Sequence, residues 1–213
     1  MRTHWEKVYS NKEISALSWF QKRAERSLAK IIEAKIPFDA SILDVGGGAS
    51  PLAGNLLEIG YRNISILDIS SSALATAQMA LGSKAKDVHW IESDILTSDF
   101  PANAYDVWHD RAVFHFLGKP EDRQTYVRVL LRALKPGGLV VMATFSKEGP
   151  MQCSGLPVVR YSPEKLHAEL GTSFVFLESE EESHFTPTGA FQKFLYCTFQ
   201  KLPINLIMSS GLK

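Results

Sequence analysis

The sequence predicts an α/β fold: one doubly wound sheet of seven strands, mostly parallel with an antiparallel last strand, and helices on both faces. Short apolar runs recur at 42–45, 64–67, 88–95, 105–108 and 139–145, the pattern of strands buried on both faces. Helix punctuation lies between them. Pro51 suits a first helical turn, where its missing N–H has no partner to lose, and Pro136-Gly137-Gly138 closes a helix before the fifth run. Two further strands, 173–177 and 193–200, read as a closing hairpin with a loop at 178–190. With 213 residues, 45% of them apolar, the chain supports one domain with a full core.

The carboxyl edge of such a sheet is where ligands sit. The first strand (Ile42, Leu43, Val45) runs into Gly46-Gly47-Gly48, where no side chain keeps a ligand from the backbone. The second (Ile64, Ile66, Leu67) ends at Asp68, 24 positions beyond Asp44, in the place of a carboxylate that accepts both hydroxyls of a ribose; Ile69 follows it at the cofactor. A nucleoside-containing cofactor is implied. A dinucleotide fingerprint needs glycine where Pro51 stands. An acid two residues before the first glycine, Asp44-Val45-Gly46-Gly47-Gly48, is instead the pattern of S-adenosylmethionine (SAM) sites, whose ligand carries an amino-acid moiety and no phosphate. Asp44, Gly46 and Gly48 are the candidates for the methionyl end.

The later runs agree. The third ends in Asp94-Ile95, an acid to accept from an adenine amino group and an apolar neighbour to pack on the ring. The fourth delivers His109-Asp110-Arg111 to the same edge, and Leu134-Lys135-Pro136-Gly137-Gly138 precedes the fifth. As a succession over residues 41–145, these motifs resemble the class I SAM-dependent methyltransferases, whose sheet is Rossmann-like. The resemblance implies SAM as cofactor, S-adenosylhomocysteine as product, and methyl transfer as the reaction.

Residues 1–40 form a predicted helical cover of the same domain, 41–201 the SAM-binding methyltransferase domain, and 202–213 an apolar tail expected to dock on the body. Phe20, Ala24, Leu28 and Ile31 recur at helical spacing. Trp5, Tyr9 and the Ser18-Trp19-Phe20 triplet are a heavy aromatic load for a polar leader. His4-Trp5-x-x-x-Tyr9 followed by Ser18-Trp19-Phe20 resembles the N-terminus of the elongation-factor lysine methyltransferases and related bacterial enzymes. That resemblance implies that Trp5, Tyr9 and Trp19 enclose SAM, whose sulfonium gains about 0.5–2 kcal/mol over an aromatic face. Plain packing on the sheet is the other reading.

Methyl transfer asks mainly for alignment, and a general base is needed only for an acceptor of high pKa. The candidates are His109, Asp110 and His184. For the triplet at 109–111 the alternative is a salt-bridged Asp110–Arg111 neighbourhood beside a solvated His109. Asp110 and Arg111 are also cofactor-side candidates, although the resemblance to the elongation-factor enzymes implies an acid and a lysine there, so Arg111 departs from that pattern. His115 and Phe116 are expected near the substrate pocket, and His184, Phe185, Thr186 and Pro187 on the substrate side of the last hairpin or in a plain loop. No metal site is expected.

Composition excludes other classes. Lys+Arg and Asp+Glu stand at 23 each, so no net field attracts nucleic acid or an anionic membrane. The acidic run at 178–182 reads as a solvated loop. Residues 1–10 are polar, unlike a signal peptide, and no apolar run reaches membrane length. Cys153 and Cys197 cannot make a disulfide framework, and both suit the reducing cytoplasm. A monomer or homodimer is expected. Tyr161-Ser162-Pro163-Glu164-Lys165 matches the Tyr-x-x-x-Lys pair of short-chain dehydrogenases. Pro163 argues against it: Ser162-Pro163-Glu164 reads as a helix start, with an N-cap serine, an N1 proline and an acid favoured by the helix dipole. The expected acceptor is a small molecule. A protein lysine is the alternative, and a SAM-binding protein without catalysis remains a further one.

Overall fold

The computed structural model describes residues 1–203. Two helices, α1 (Arg2–Asn11) and α2 (Glu25–Glu33), precede the sheet. The apolar runs become β1 (Ser41–Val45), β2 (Asn63–Asp68), β3 (Val88–Glu92), β4 (Tyr105–Arg111) and β5 (Leu134–Phe145). Helices α3 (Leu52–Ile59), α4 (Ser71–Leu81) and α5 (Pro120–Ala133) connect them, with one long excursion between β3 and β4. A two-residue hairpin of β6 (Gln152–Cys153) and β7 (Leu156–Pro157) then leads to α6 (Pro163–Leu170), β8 (Phe174–Phe185) and β9 (Phe191–Lys201). The seven long strands form one sheet in the order β3-β2-β1-β4-β5-β9-β8. β9 lies antiparallel to both of its neighbours and the first five strands pair in parallel, as the sequence predicts.

Alternation along each strand sorts the core into two layers. Leu43, Trp108 and Val140 face α5 and α6, which bury Tyr126, Leu130, Leu166 and Leu170. Ile42, Ile66 and Val107 face α2 and α3, which bury Leu28, Ile31, Leu52 and Leu56. The reversal of strand order between β1 and β4 opens the carboxyl edge between these layers. The same parity puts Asp44, Asp68, His109 and Arg111 on the α2 and α3 side, and Asp110 on the other.

Local signals hold at the helix ends. Ser162 is the N-cap of α6, its Oγ accepting from the Lys165 N–H, and Pro163 is the first helical residue. Ser70 caps α4 in the same way, accepting from the Ala73 N–H at 3.1 Å. α3 ends at Gly60, whose φ of +118° lets its N–H turn back onto the Leu56 carbonyl.

The structure departs from expectation in three places. The helix anticipated from Phe20 starts only at Glu25, because the Ala24 N–H is held by the Asn55 side chain at 3.0 Å. β3 stops at Glu92, since the Ser93 N–H turns to the Asp68 carbonyl and Asp94 caps the following turn through the Leu96 N–H. Glu178 to Glu182 are a continuation of β8, which leaves only residues 186–190 as the hairpin loop. Alternate glutamates of that run meet cations of α2: Lys30 Nζ lies 3.0 Å from Glu178 and 3.3 Å from Glu180, and Arg26 pairs with Glu180. Of the C-terminal tail only Leu202 and Pro203 fall within the described residues, and the Leu202 N–H donates to Ser173; the expected docking of the rest lies outside them.

Leu130 is fully buried between α5 and the sheet. Leu130→Ala is expected to cost about 2–5 kcal/mol, read by urea titration as a lower midpoint at an unchanged slope.

Candidate active site

The turn after β1 is closed by the Gly46 and Gly47 N–H groups, which donate to the Leu67 carbonyl at 2.6 and 3.2 Å. Gly46 and Gly48 take φ of +65° and +33°, a region L side chains rarely adopt. Space is as restrictive as conformation. A Cβ would lie 2.1 Å from Val113 at Gly46, 2.5 Å from Asp44 Oδ2 at Gly47, and 2.8 Å from both Asp68 Oδ2 and the Tyr9 hydroxyl at Gly48. The turn is therefore pinched between two carboxylates and a phenol.

Asp68 is buried. One oxygen accepts from the Ser70 N–H at 2.9 Å, and the other faces Gly48. Burial pushes its carboxyl up to about 7, opposed by the Ser70 N–H and helped by the Asp44 charge. Asp44 is 2% exposed; Oδ1 meets His109 Nδ1 at 2.6 Å, and Oδ2 is buried with no hydrogen-bond partner among the described residues. These oxygens border two adjoining hollows. The larger, about 140 Å³, is lined by Asp68, Ile69, Asp94 and Ile95 along the sheet edge and by Trp5, Tyr9 and Trp19 opposite. The smaller lies against Asp44, Gly46 and Gly47 and shares Tyr9, Trp19 and Arg111 with the first.

The aromatic wall is built by the N-terminal segment. Trp5 meets Trp19 and Phe116 edge to face at centroid distances of 5.7 and 5.2 Å, and Tyr9 meets Trp19 at 6.0 Å. Glu6, on α1 between Trp5 and Tyr9, accepts from the Ser71 and Ser72 N–H groups at 2.7 and 3.2 Å, across the start of α4. The Ser72 side chain and these N–H groups hold its carboxyl down at about 2. Arg2 pairs with Glu92 at the end of β3. The Trp19 segment is tied from below, with the Ser18 carbonyl 2.8 Å from His184 Nε2 and the Trp19 carbonyl 3.4 Å from Arg111 Nη1.

The three candidate bases are distributed differently from the sequence expectation. His109 borders the smaller hollow beneath the glycine turn and is 2% exposed, not solvated as in the alternative reading, both ring nitrogens being engaged by Asp44 and by Ser27 Oγ at 2.8 Å. Asp110 points to the opposite layer, where it accepts from the Val113 N–H, the Phe114 N–H and the Tyr126 hydroxyl at 2.9, 3.1 and 2.5 Å. Burial pushes Asp110 up to about 6. Its bonds brace the turn at Ala112, a non-glycine residue at φ +71° on the cavity wall, and do not reach the cavity. His184 spends its Nε2 on Ser18, and burial lowers its pKa. The salt bridge between Asp110 and Arg111 of the alternative reading does not form, because neighbours along a strand face opposite ways. Arg111 instead bonds the Tyr196 hydroxyl at 3.0 Å, packs over Phe194 at 4.3 Å and lies 3.7 Å from Glu182.

Phe116 lines the cavity. His115 is buried against Phe116 and Phe145, and burial with the nearby Arg111 charge pulls its pKa down to about 3. Phe185 is exposed at the hairpin end, and Thr186 caps its own turn through the Ala190 N–H. Sequence reading missed Glu6, Ser27, Val113, Leu96 and Cys153, whose places depend on contacts between distant elements; only Leu96, next to Ile95, had a local signal. Among the described residues no group of three or more His, Cys, Asp or Glu side chains is arranged to hold a metal, and no helix is long and apolar enough to cross a membrane.

A glycine turn between two buried acids stands at the crossover of a sheet ordered β3-β2-β1-β4-β5-β9-β8, the fold of SAM-dependent methyltransferases among solved structures. Residues 43–142 match the methyltransferase domain family. The chain is 26% identical over 164 residues to human EEF1A lysine methyltransferase 2, a match covering 69% of each chain. Its match to the zebrafish (Danio rerio) eEF1A lysine and N-terminal methyltransferase spans 21% of that protein's length. Among solved structures, one from work on the conversion of a disulfide bond into a thioacetal group during echinomycin biosynthesis superposes with a TM-score of 0.77 at 16% identity, covering 99% of this chain and 97% of that one. The N-methyltransferase NodS of Bradyrhizobium japonicum, in complex with S-adenosylhomocysteine, superposes with a TM-score of 0.71 at 16% identity, covering 92% and 97%. At these identities the structural likenesses carry the fold.

Glu6 fastens α1 to the start of α4, a contact worth about 0.3–1 kcal/mol. Glu6→Ala is expected to speed amide hydrogen exchange across residues 2–11 while leaving β1 and β4 unchanged, as read by mass spectrometry of peptic peptides.

Proposed function

We propose that this protein transfers the methyl group of SAM to a small molecule seated against the aromatic wall. The observation that carries this is the closure of the cavity by Trp5, Trp19 and Phe116 over the edge bordered by Asp68 and Asp94. A wall of interlocked rings suits a compact, apolar or planar acceptor better than a protein surface.

The residues present fit the cofactor. Asp44 Oδ2, buried and unpartnered, matches an α-ammonium group, with Gly46 and Gly48 leaving room for the methionyl chain. Asp68 takes the ribose hydroxyls, Asp94 accepts from the adenine amine, and Ile69 and Ile95 pack on the adenosine. A pyrophosphate in the same place would face two carboxylates, which argues for a ligand without phosphate. Trp5, Tyr9 and Trp19 form the cover that excludes water and presents π faces to a cation.

SAM supplies an electrophilic methyl group on a sulfonium, so the chain's task is alignment, worth up to about 7–11 kcal/mol in well-ordered cases. Arg111 and Phe116 border the acceptor side. Among the described residues, the titratable groups lining the larger hollow include no base for an acceptor proton. Asp68 and Asp94 are assigned to the cofactor, and burial pushes the Cys153 thiol up to about 11 and the Tyr9 phenol well above its ordinary value. This favours an acceptor that arrives with a free lone pair, such as a neutral nitrogen or a thiolate. His109, Asp110 and His184 act in this reading through the turn and the cover that they hold.

A protein lysine is the second reading, favoured by the likeness to the human relative named for that activity. Incubation with methyl-labelled SAM and a cell extract split by size distinguishes the two. Label is expected in the low-molecular-weight fraction; label confined to protein would reverse the assignment, and none in either would leave a binding protein.

Two further outcomes follow from Asp68. Asp68→Ala removes charge-assisted hydrogen bonds worth about 1.5–3 kcal/mol, so SAM affinity is expected to fall by well over tenfold in a calorimetric titration. Hydroxyl donors bind the ionised carboxylate, and in the free protein that ionisation is held up to about 7. Affinity should therefore rise from pH 5.5 through 7 and level off above it, changing by up to about tenfold per unit on the acid side. Asp68→Asn should flatten the profile.

A further inference from the structure

A chain of buried hydrogen bonds runs beneath the glycine turn and ends on Asp44. Arg111 Nε meets the Tyr196 hydroxyl at 3.0 Å, and that hydroxyl lies 3.4 Å from Ser27 Oγ. Ser27 Oγ meets His109 Nε2 at 2.8 Å, and His109 Nδ1 meets Asp44 Oδ1 at 2.6 Å. The members come from β4, β9, α2 and β1, and Ser27, Tyr196, His109 and Asp44 are each at most 2% exposed.

With a neutral imidazole at His109, the direction of every bond follows from the two ends. A guanidinium only donates, so Tyr196 accepts from Arg111 and passes its own proton toward Ser27. A carboxylate only accepts, so His109 carries its proton on Nδ1 and presents Nε2 as an acceptor for the Ser27 hydroxyl. The two assignments meet at Ser27 without conflict, and every donor points toward Asp44. Bonds aligned in this way inside a low-dielectric interior strengthen one another. The arrangement has the outline of a Ser–His–Asp triad, but Ser27 is 1% exposed and does not border either hollow, so it is no nucleophile.

What the chain leaves over is one atom. Asp44 Oδ1 is occupied, and Oδ2 is held toward Gly47 with no partner. The far end of the chain reaches the cover, because Arg111 also bonds the Trp19 carbonyl. We propose that Ser27 and His109 are positioning residues for the cofactor's amino group. They lock Asp44 in the one orientation that presents Oδ2, and tie the affinity for the amino-acid end of the cofactor to the seating of α2. This rests on the reading of Asp44 as the partner of the ammonium.

The test compares two ligands that share the adenosine thioether and differ in the amino-acid moiety: S-adenosylhomocysteine, which has it, and 5′-methylthioadenosine, which lacks it. Calorimetric titration of the full chain with each is expected to show that Ser27→Ala weakens S-adenosylhomocysteine by about three- to tenfold, as for one hydrogen bond. Methylthioadenosine binding should stay unchanged. His109→Leu should widen the gap, and His109→Asn, which keeps an N–H where Nδ1 stands, should narrow it again. Equal weakening of both ligands in Ser27→Ala and His109→Leu would mean a merely structural role and overturn the proposal. So would no weakening of either. Asp44→Asn separates the underlying reading: unchanged affinity for S-adenosylhomocysteine in that variant would remove Asp44 from the amino group itself, whatever Ser27→Ala does.

Discussion

The structure depends on how little room there is between the end of β1 and its surroundings. Gly46, Gly47 and Gly48 occupy places where a single added carbon would strike Val113, Asp44, or Asp68 with Tyr9. Three separate parts of the fold converge there: the turn after β4, the carboxylates ending β1 and β2, and the cover helix α1. Each is held by bonds of its own, through Asp110 to the Val113 and Phe114 N–H groups, His109 to Asp44, and Glu6 to the start of α4. The turn fixes the distances among them, so cofactor site, cover and core are one mechanical unit.

The burial of acids at this junction gives the site its electrostatic character. Asp44 and Asp68 lie on the same layer of the sheet, and among the described residues no lysine or arginine pairs with either. The cost of burying them is offset by backbone N–H groups, by His109 and by the pKa rise at Asp68. Such a place favours a ligand that brings hydroxyl donors and a positive charge, and disfavours phosphate. On the opposite layer Asp110, also lifted by burial, serves the backbone of the cavity wall.

Much of this was legible in the sequence because its causes are local. The glycine turn, Asp68 24 residues beyond Asp44, the alternation of strands with helices and the Ser162-Pro163 helix start depend on near neighbours in the chain. The aromatic residues at 5, 9 and 19 were legible by resemblance, and they do stand together on one wall. The treatment of His109, Asp110 and Arg111 as one cluster went astray although the information was present: alternation along β4 sends Asp110 to the α5 side and its neighbours to the α2 side. The acidic run at 178–182 is a strand because Lys30 and Arg26 of α2 lie against it, 148 residues away in the case of Lys30 and Glu178. Pairings of that reach, like Ser27 with His109 and Glu6 with Ser71, leave no mark in a single sequence.

The central claim is that the hollow at this junction holds an adenosine ligand ending in an amino acid and lacking phosphate. Calorimetric titration of the wild-type chain with S-adenosylhomocysteine and, in parallel, with NADP tests it most directly. The account requires micromolar binding of the first and none of the second. Binding of NADP without S-adenosylhomocysteine would contradict it and return attention to Tyr161 and Lys165.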